Sequence, residues 1–285
     1  MKKRVTLWVA LAFVLTAFLV WHNSPDRRME AWLEQVASGD PNVLAQGLAE
    51  FASADRRAVP FLIRKLQTKD SRYRGELDII LGNLPSPIHQ RLRKERAEII
   101  RAASALALAR IGVSASNAIP NLVLALQDRS SNVRINSVQA LATIGPDSPL
   151  HRTAALALVS KLSDVKRDIV GVIEAYRQLG NFRLDADVTL PLVKNALESQ
   201  HIVEARLWAL ESLRSFGPDV PIDLPLVGGC LTNWNANVRM AALKLLEERA
   251  SHKQSGALEL LEGHYDSDPA IRAECERIVQ ELQGR

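Results

Sequence analysis

The chain repeats itself, and the repeat constrains its fold more than any composition figure does. Arg101 is followed by Leu108, Ile111 and Gly112, Arg134 by Leu141, Ile144 and Gly145, and Arg206 by Leu213, Phe216 and Gly217. Looser copies begin at Leu44, Arg74, Ile169, Arg239 and Arg272, so that neighbouring copies lie 30, 27, 33, 35, 37, 33 and 33 residues apart. A period of this size belongs to a stacked array in which each unit buries its apolar face only against its neighbours. It predicts a stack of helices in place of one closed core, and it favours a binding scaffold over an enzyme.

Each repeat reads as two helices. In the first, Val133, Val138, Leu141 and Ile144 fall on one side at helical spacing, and Gly145 with Pro146 ends the run. A glycine there is expected to take the left-handed turn that closes many helices. The second helix is marked by Pro60, Pro120, Pro191 and Pro225, each six residues before Leu66, Leu126, Leu197 or Leu231. Proline suits the first turn of a helix, where its missing N–H has no partner in any case. In the middle repeat Leu156 stands where the proline belongs. The paired Gly228 and Gly229 mark either a weak helix or a close contact.

An acidic residue also stands six positions before several of the arginines: Asp128 before Arg134, Asp266 before Arg272 and Glu95 before Arg101. Paired helices, a proline in helix two and this acid–arginine spacing resemble HEAT repeats, in particular the short bacterial, PBS-lyase-type form. The resemblance covers about residues 40–283. It implies an all-α, right-handed α-solenoid of about seven helix pairs, with the acid–arginine pairs bridging neighbouring turns and repeats. It says little about function, because one fold carries many tasks.

Composition agrees with a folded array, with 47% apolar and 24% charged side chains. The net charge of +4 is largely that of Lys2, Lys3 and Arg4. Beyond residue 21 the balance runs from +4 over 22–127, through +1 over 128–199, to −4 over 200–285. A nucleic-acid binder needs a larger basic surplus, so protein contacts are the better expectation. Cys230 and Cys275 are too few for a disulfide framework or a zinc site.

Residues 5–21 are free of charge and follow the three cations. Trp8 and Trp21 stand near their ends, as interfacial aromatics do, and no good cleavage site follows. The expected organisation is an uncleaved membrane anchor over 1–21, a linker over 22–28 and the repeat array over 29–285. The array then faces the periplasm or the outside of the cytoplasmic membrane; cleavage would instead release it as a periplasmic or secreted protein.

No nucleophile elbow, phosphate loop, metal-ligand spacing or CxxC occurs. No His–Glu dipeptide of the kind used by di-iron HEAT enzymes is present. Neither a cofactor nor a metal is expected. The densest basic patch is Arg91, Arg93, Lys94 and Arg96. By resemblance the second helices line the partner groove, which places Arg64, Lys65, Lys161, Lys194 and Asn195 there beside Leu124. The reading is a non-enzymatic, membrane-tethered scaffold for a protein partner. The alternatives are a factor resembling the bilin lyases and, against the charge balance, a HEAT-type nucleic-acid binder.

Overall fold

The computed structural model describes residues 25–69, 97–161, 169–182, 185–198 and 203–284. The anchor over 5–21, the repeat begun by Arg74, the patch Arg91, Arg93, Lys94 and Arg96, and Glu95 lie outside the described residues. Among the described residues every regular element is helical. The chain divides into two compact units, residues 1–121 and 122–285.

The first unit contains α1 (Pro25–Val36), α2 (Pro41–Ala54), α3 (Val59–Leu66) and α4 (Ala97–Ile111). Helix α1 starts inside the stretch expected to be a linker. Pro25 suits a first helical turn, Asp26 complements the helix dipole there, and Met29, Leu33 and Val36 are buried at i, i+4 and i+7. Asp40 caps α2 by accepting from the amides of Asn42 and Val43, and Pro41 opens its first turn. Helix α1 packs on α2, and α3 packs on α4. The run 97–125 is apolar enough to cross a membrane by composition. It is nevertheless a broken core element: Gly112, at φ 74°, ends α4, and Ala105, Ala107 and Leu108 are fully buried. The short α5 (Ile119–Ala125) follows and carries the chain past residue 121.

The second unit alternates A helices and B helices. The A helices are α6 (Ser131–Ile144), α8 (Ile169–Leu179), α10 (Val203–Ser215), α12 (Ala236–Ser251) and α14 (Pro269–Gln283). The B helices are α7 (His151–Lys161), α9 (Ala186–Glu198), α11 (Leu224–Gly229) and α13 (Ala257–Glu262). Each A helix packs on the next A helix, and each B helix on the next B helix. The unit is therefore a two-layer stack of helix pairs, as the repeat requires. The repeat's apolar positions form the core: Val133, Val138, Leu141, Ile144 and Phe216 are fully buried.

Two helix signals act differently from expectation. Pro60, Pro120 and Pro225 are each the second residue of their helix, but Pro191 is the sixth residue of α9. That helix begins a turn early, at Ala186, so Pro191 denies the carbonyl of Asp187 its usual helical donor. The repeat's glycine has two distinct reasons. Gly112 and Gly217 are left-handed, at φ 74° and 78°. Gly145 is right-handed, at φ −63°. A Cβ on Gly145 would lie 2.5 Å from the Leu141 carbonyl oxygen, 2.7 Å from Ala154 Cβ and 2.8 Å from the Phe182 ring. It is glycine because α6, α7 and Phe182 converge there, not because the chain turns left.

Candidate functional site: the B-helix layer

The loops entering α6, α12 and α14 share one construction. The side chain six residues before the repeat's arginine accepts from the amide two residues on: Asp128 from Ser130 at 2.8 Å, Asn233 from Asn235 at 2.9 Å and Asp266 from Asp268 at 2.8 Å. This is an Asx turn, in which a short polar side chain mimics a backbone turn. The arginine then donates to the backbone carbonyl of that same residue: Arg134 to Asp128 O at 2.9 Å, Arg239 to Asn233 O at 3.0 Å and Arg272 to Asp266 O at 3.3 Å. The acid–arginine spacing thus works through the backbone, which is why Asn233 can stand in for an aspartate. The carboxylate of Asp266 bonds the arginine of the preceding repeat, Arg239, not Arg272. Arg272 instead donates to the Tyr265 hydroxyl at 2.6 Å. In the first unit the buried Arg101 donates to Thr68 O at 2.9 Å.

Residues 85–171, which include the repeats of Arg101 and Arg134, match the family described as HEAT repeats. That segment is made of HEAT repeats. No curated protein matches the chain. A crystal structure described as that of an engineered protein is similar to it at 19% identity and a TM-score of 0.45, over 90% of this chain and 78% of that one.

The cations expected to line the groove are mostly occupied. In the first unit Arg64 pairs with Asp26 at 3.0 Å, and Lys65 with Glu30 of the same helix, α1. Both cations also lie over the Phe61 ring, at 5.9 and 5.3 Å. Lys161 is not a groove residue. It is fully buried, and its Nζ donates to Leu126 O at 3.3 Å. Its long stem packs in the core, and its ammonium satisfies a carbonyl at the C-terminal end of a HEAT helix. Lys194 pairs with Asp223 at 3.0 Å, a bond that raises the lysine pKa and lowers that of the aspartate. Asn195 is exposed on α9. Leu124 and Leu156 are exposed too, at 74% and 48%.

What the B layer of the second unit offers is relief, one groove mainly apolar and the next of mixed lining. Groove I, of 370 Å³, lies between α9 and α11 and is lined by Leu190, Pro191, Leu197, Ile222 and Leu226. Groove II, of 520 Å³, lies between α11 and α13 and is lined by Pro225, Gln254, Ser255, Glu259 and Leu260. Ile222 and Asp223 belong to both and form the ridge between them. Gly228 lets α11 approach α13, since its Cβ would meet Leu260 Cδ2 at 3.0 Å. A third concavity, of 490 Å³, is lined by the A-helix residues Arg214, Lys244, Glu247, Glu248 and Glu281. Its charges answer one another, with Arg214 3.5 Å from Glu248.

One positioning residue breaks the sequence pattern. At the offset of ten from Arg239, where other repeats hold Ile111, Ile144 or Phe216, this repeat has Arg249. Arg249 is fully buried and donates at 2.9 Å to the carbonyls of Leu213, Pro218 and Val220. Burial lowers its pKa, but a guanidinium stays charged throughout the physiological range. It ties down the loop that continues directly into Pro221, Ile222 and Asp223 of the grooves. Farther along the layer, Asp185 is buried and takes a 2.8 Å bond from His151, while Arg152 pairs with Asp187 at 3.0 Å. These contacts fasten α7 to the start of α9. Cys230 and Cys275 are buried and free, and burial pushes both thiols up. Among the described residues no group of side chains is arranged to hold a metal.

Proposed function

We propose that this chain is a non-enzymatic scaffold that holds a protein partner on its B-helix layer, tethered to a membrane by residues 5–21. The observation that carries the reading is the pair of adjoining grooves between α9, α11 and α13, the first mainly apolar and the second of mixed lining. Solvent-exposed apolar concavities with a few polar groups at their rims are where binding energy is available. The uncharged run behind Lys2, Lys3 and Arg4 supports the tether and the export of the array. Tethering raises the local concentration of the array for partners on the same membrane.

The test is face-specific crosslinking of the full chain in membranes. A photoreactive side chain replacing Leu226 or Leu260 is expected to trap the same protein, and one replacing Lys244 on the A layer is not. Equal trapping from both layers, or from neither, sinks the scaffold reading. Alkaline carbonate extraction tests the tether, with release of the full-length chain as the adverse outcome.

A further inference from the structure

The two grooves carry more information than their concavity, because their spacing, polar lining and charge each restrict the occupant. We propose that grooves I and II together bind one extended, cationic protein segment that carries apolar side chains three residues apart. This rests on the scaffold reading above and names the partner's chemistry.

Spacing is the first restriction. One B helix, α11, separates the grooves, so their centres lie about one interhelical distance apart, ~8–10 Å. A polyproline-type extended chain returns to the same face every third residue, after about 9 Å. A β-strand returns after about 7 Å and falls short. An α-helix presents a side chain about every 5–6 Å along its face, so one of them would strike the Ile222 ridge between the grooves. The extended conformation with anchors at i and i+3 is the one that places both in register.

The second restriction is a polar lining. Gln254 and Ser255 line groove II. An extended chain, unlike a helix, leaves its amide groups unpaired and can bond such side chains.

Charge is the third restriction. At groove I the two acids are already answered, Asp187 by Arg152 and Asp223 by Lys194. At groove II Glu259 is exposed and, among the described residues, no cation pairs with it. Residues 200–285 are net −4. A lysine or arginine beside the second anchor is complementary to this rim, and an acidic segment is repelled.

The probe is a displayed library of random twelve-residue peptides panned against the full chain. Selection is expected to converge on two apolar residues at i and i+3 flanked by lysine or arginine. A synthetic peptide of that consensus should bind about tenfold more weakly to Leu226→Gln and to Leu260→Gln. In Glu259→Gln, an exposed change that spares the core, the apolar spacing should persist while the basic preference disappears. Convergence on another spacing, on acidic sequences, or on nothing overturns the inference. The crosslinking result then shows which reading failed. Layer-specific trapping of a partner without this consensus removes the extended cationic segment and leaves the scaffold standing; loss of both removes the scaffold as well.

Discussion

Arg239 grips Asp266 with two hydrogen bonds, from Nε at 2.7 Å and Nη2 at 3.0 Å, and so joins the start of one repeat's A helix to the entry loop of the next. The Asp266 side chain is 1% exposed. Burial alone would push its pKa up. Arg239, the Asp268 amide and His264 overcome that and hold it lowered, at about 2. A folded pKa below the unfolded value of ~3.9 means stability that is fully present above that value and lost as pH falls toward the folded pKa.

Asp266→Asn is therefore expected to cost about 1–2 kcal/mol near neutral pH and to flatten the stability curve between about pH 4 and pH 2. The loop turn should survive, since Asn233 makes the same turn in the preceding repeat. Urea unfolding of both chains at neutral and acid pH decides the matter. An unchanged acid dependence in the variant contradicts it.

Gly112 and Gly145 occupy the same repeat position, yet substitutions should rank oppositely. Gly112 has φ 74° and open space around a Cβ, so asparagine, which tolerates left-handed backbone, should cost less than alanine's ~1 kcal/mol. Gly145 has ordinary backbone and no space, so alanine should cost about 1–3 kcal/mol and asparagine more. Melting temperatures of the four variants test the ranking, and the same order at both sites refutes it.

The Arg249→Met variant should lose about 3 kcal/mol or more, because three carbonyls give up a buried donor. Amide exchange in residues 218–222 should rise along with it, since the guanidinium holds that loop. A loss below about 1 kcal/mol would show that the loop is held by other contacts.

Leu141 is fully buried in α6. Leu141→Ala should cost about 2–5 kcal/mol, and Leu141→Asp should abolish cooperative unfolding, since it buries an unpaired charge. An unaltered melting curve for Leu141→Asp would mean that this face of α6 is not core.

The fold was legible because periodicity reports burial. Leu108, Leu141 and Leu213 recur at one offset since each fills the same gap between helices. The site was less legible. A lysine on a helix looks solvent-facing in a sequence, yet Lys161 bends its stem into the core to reach Leu126. The acid–arginine spacing was visible, but its physical content, a side chain on an amide and an arginine on a carbonyl, involves atoms every residue has. Arg249 did leave a signal, a charge at an offset otherwise apolar, which marks either a fault in the repeat or a buried polar clamp. The grooves depend on where Gly228 lets α11 settle against Leu260, and spacing along the chain does not encode that distance.

The arginine clasp has a consequence for how such a chain can change. Its acceptor is a main-chain oxygen, so the position that supplies it need keep only an Asp or Asn side chain for the turn, as Asp128, Asn233 and Asp266 do, while the docking rule stays fixed. Where the joint runs through the main chain, a copied or deleted repeat meets the same interface it left, whereas the Arg239–Asp266 joint must move as a pair. New surface chemistry can arise on the B layer while the joints stay as they are.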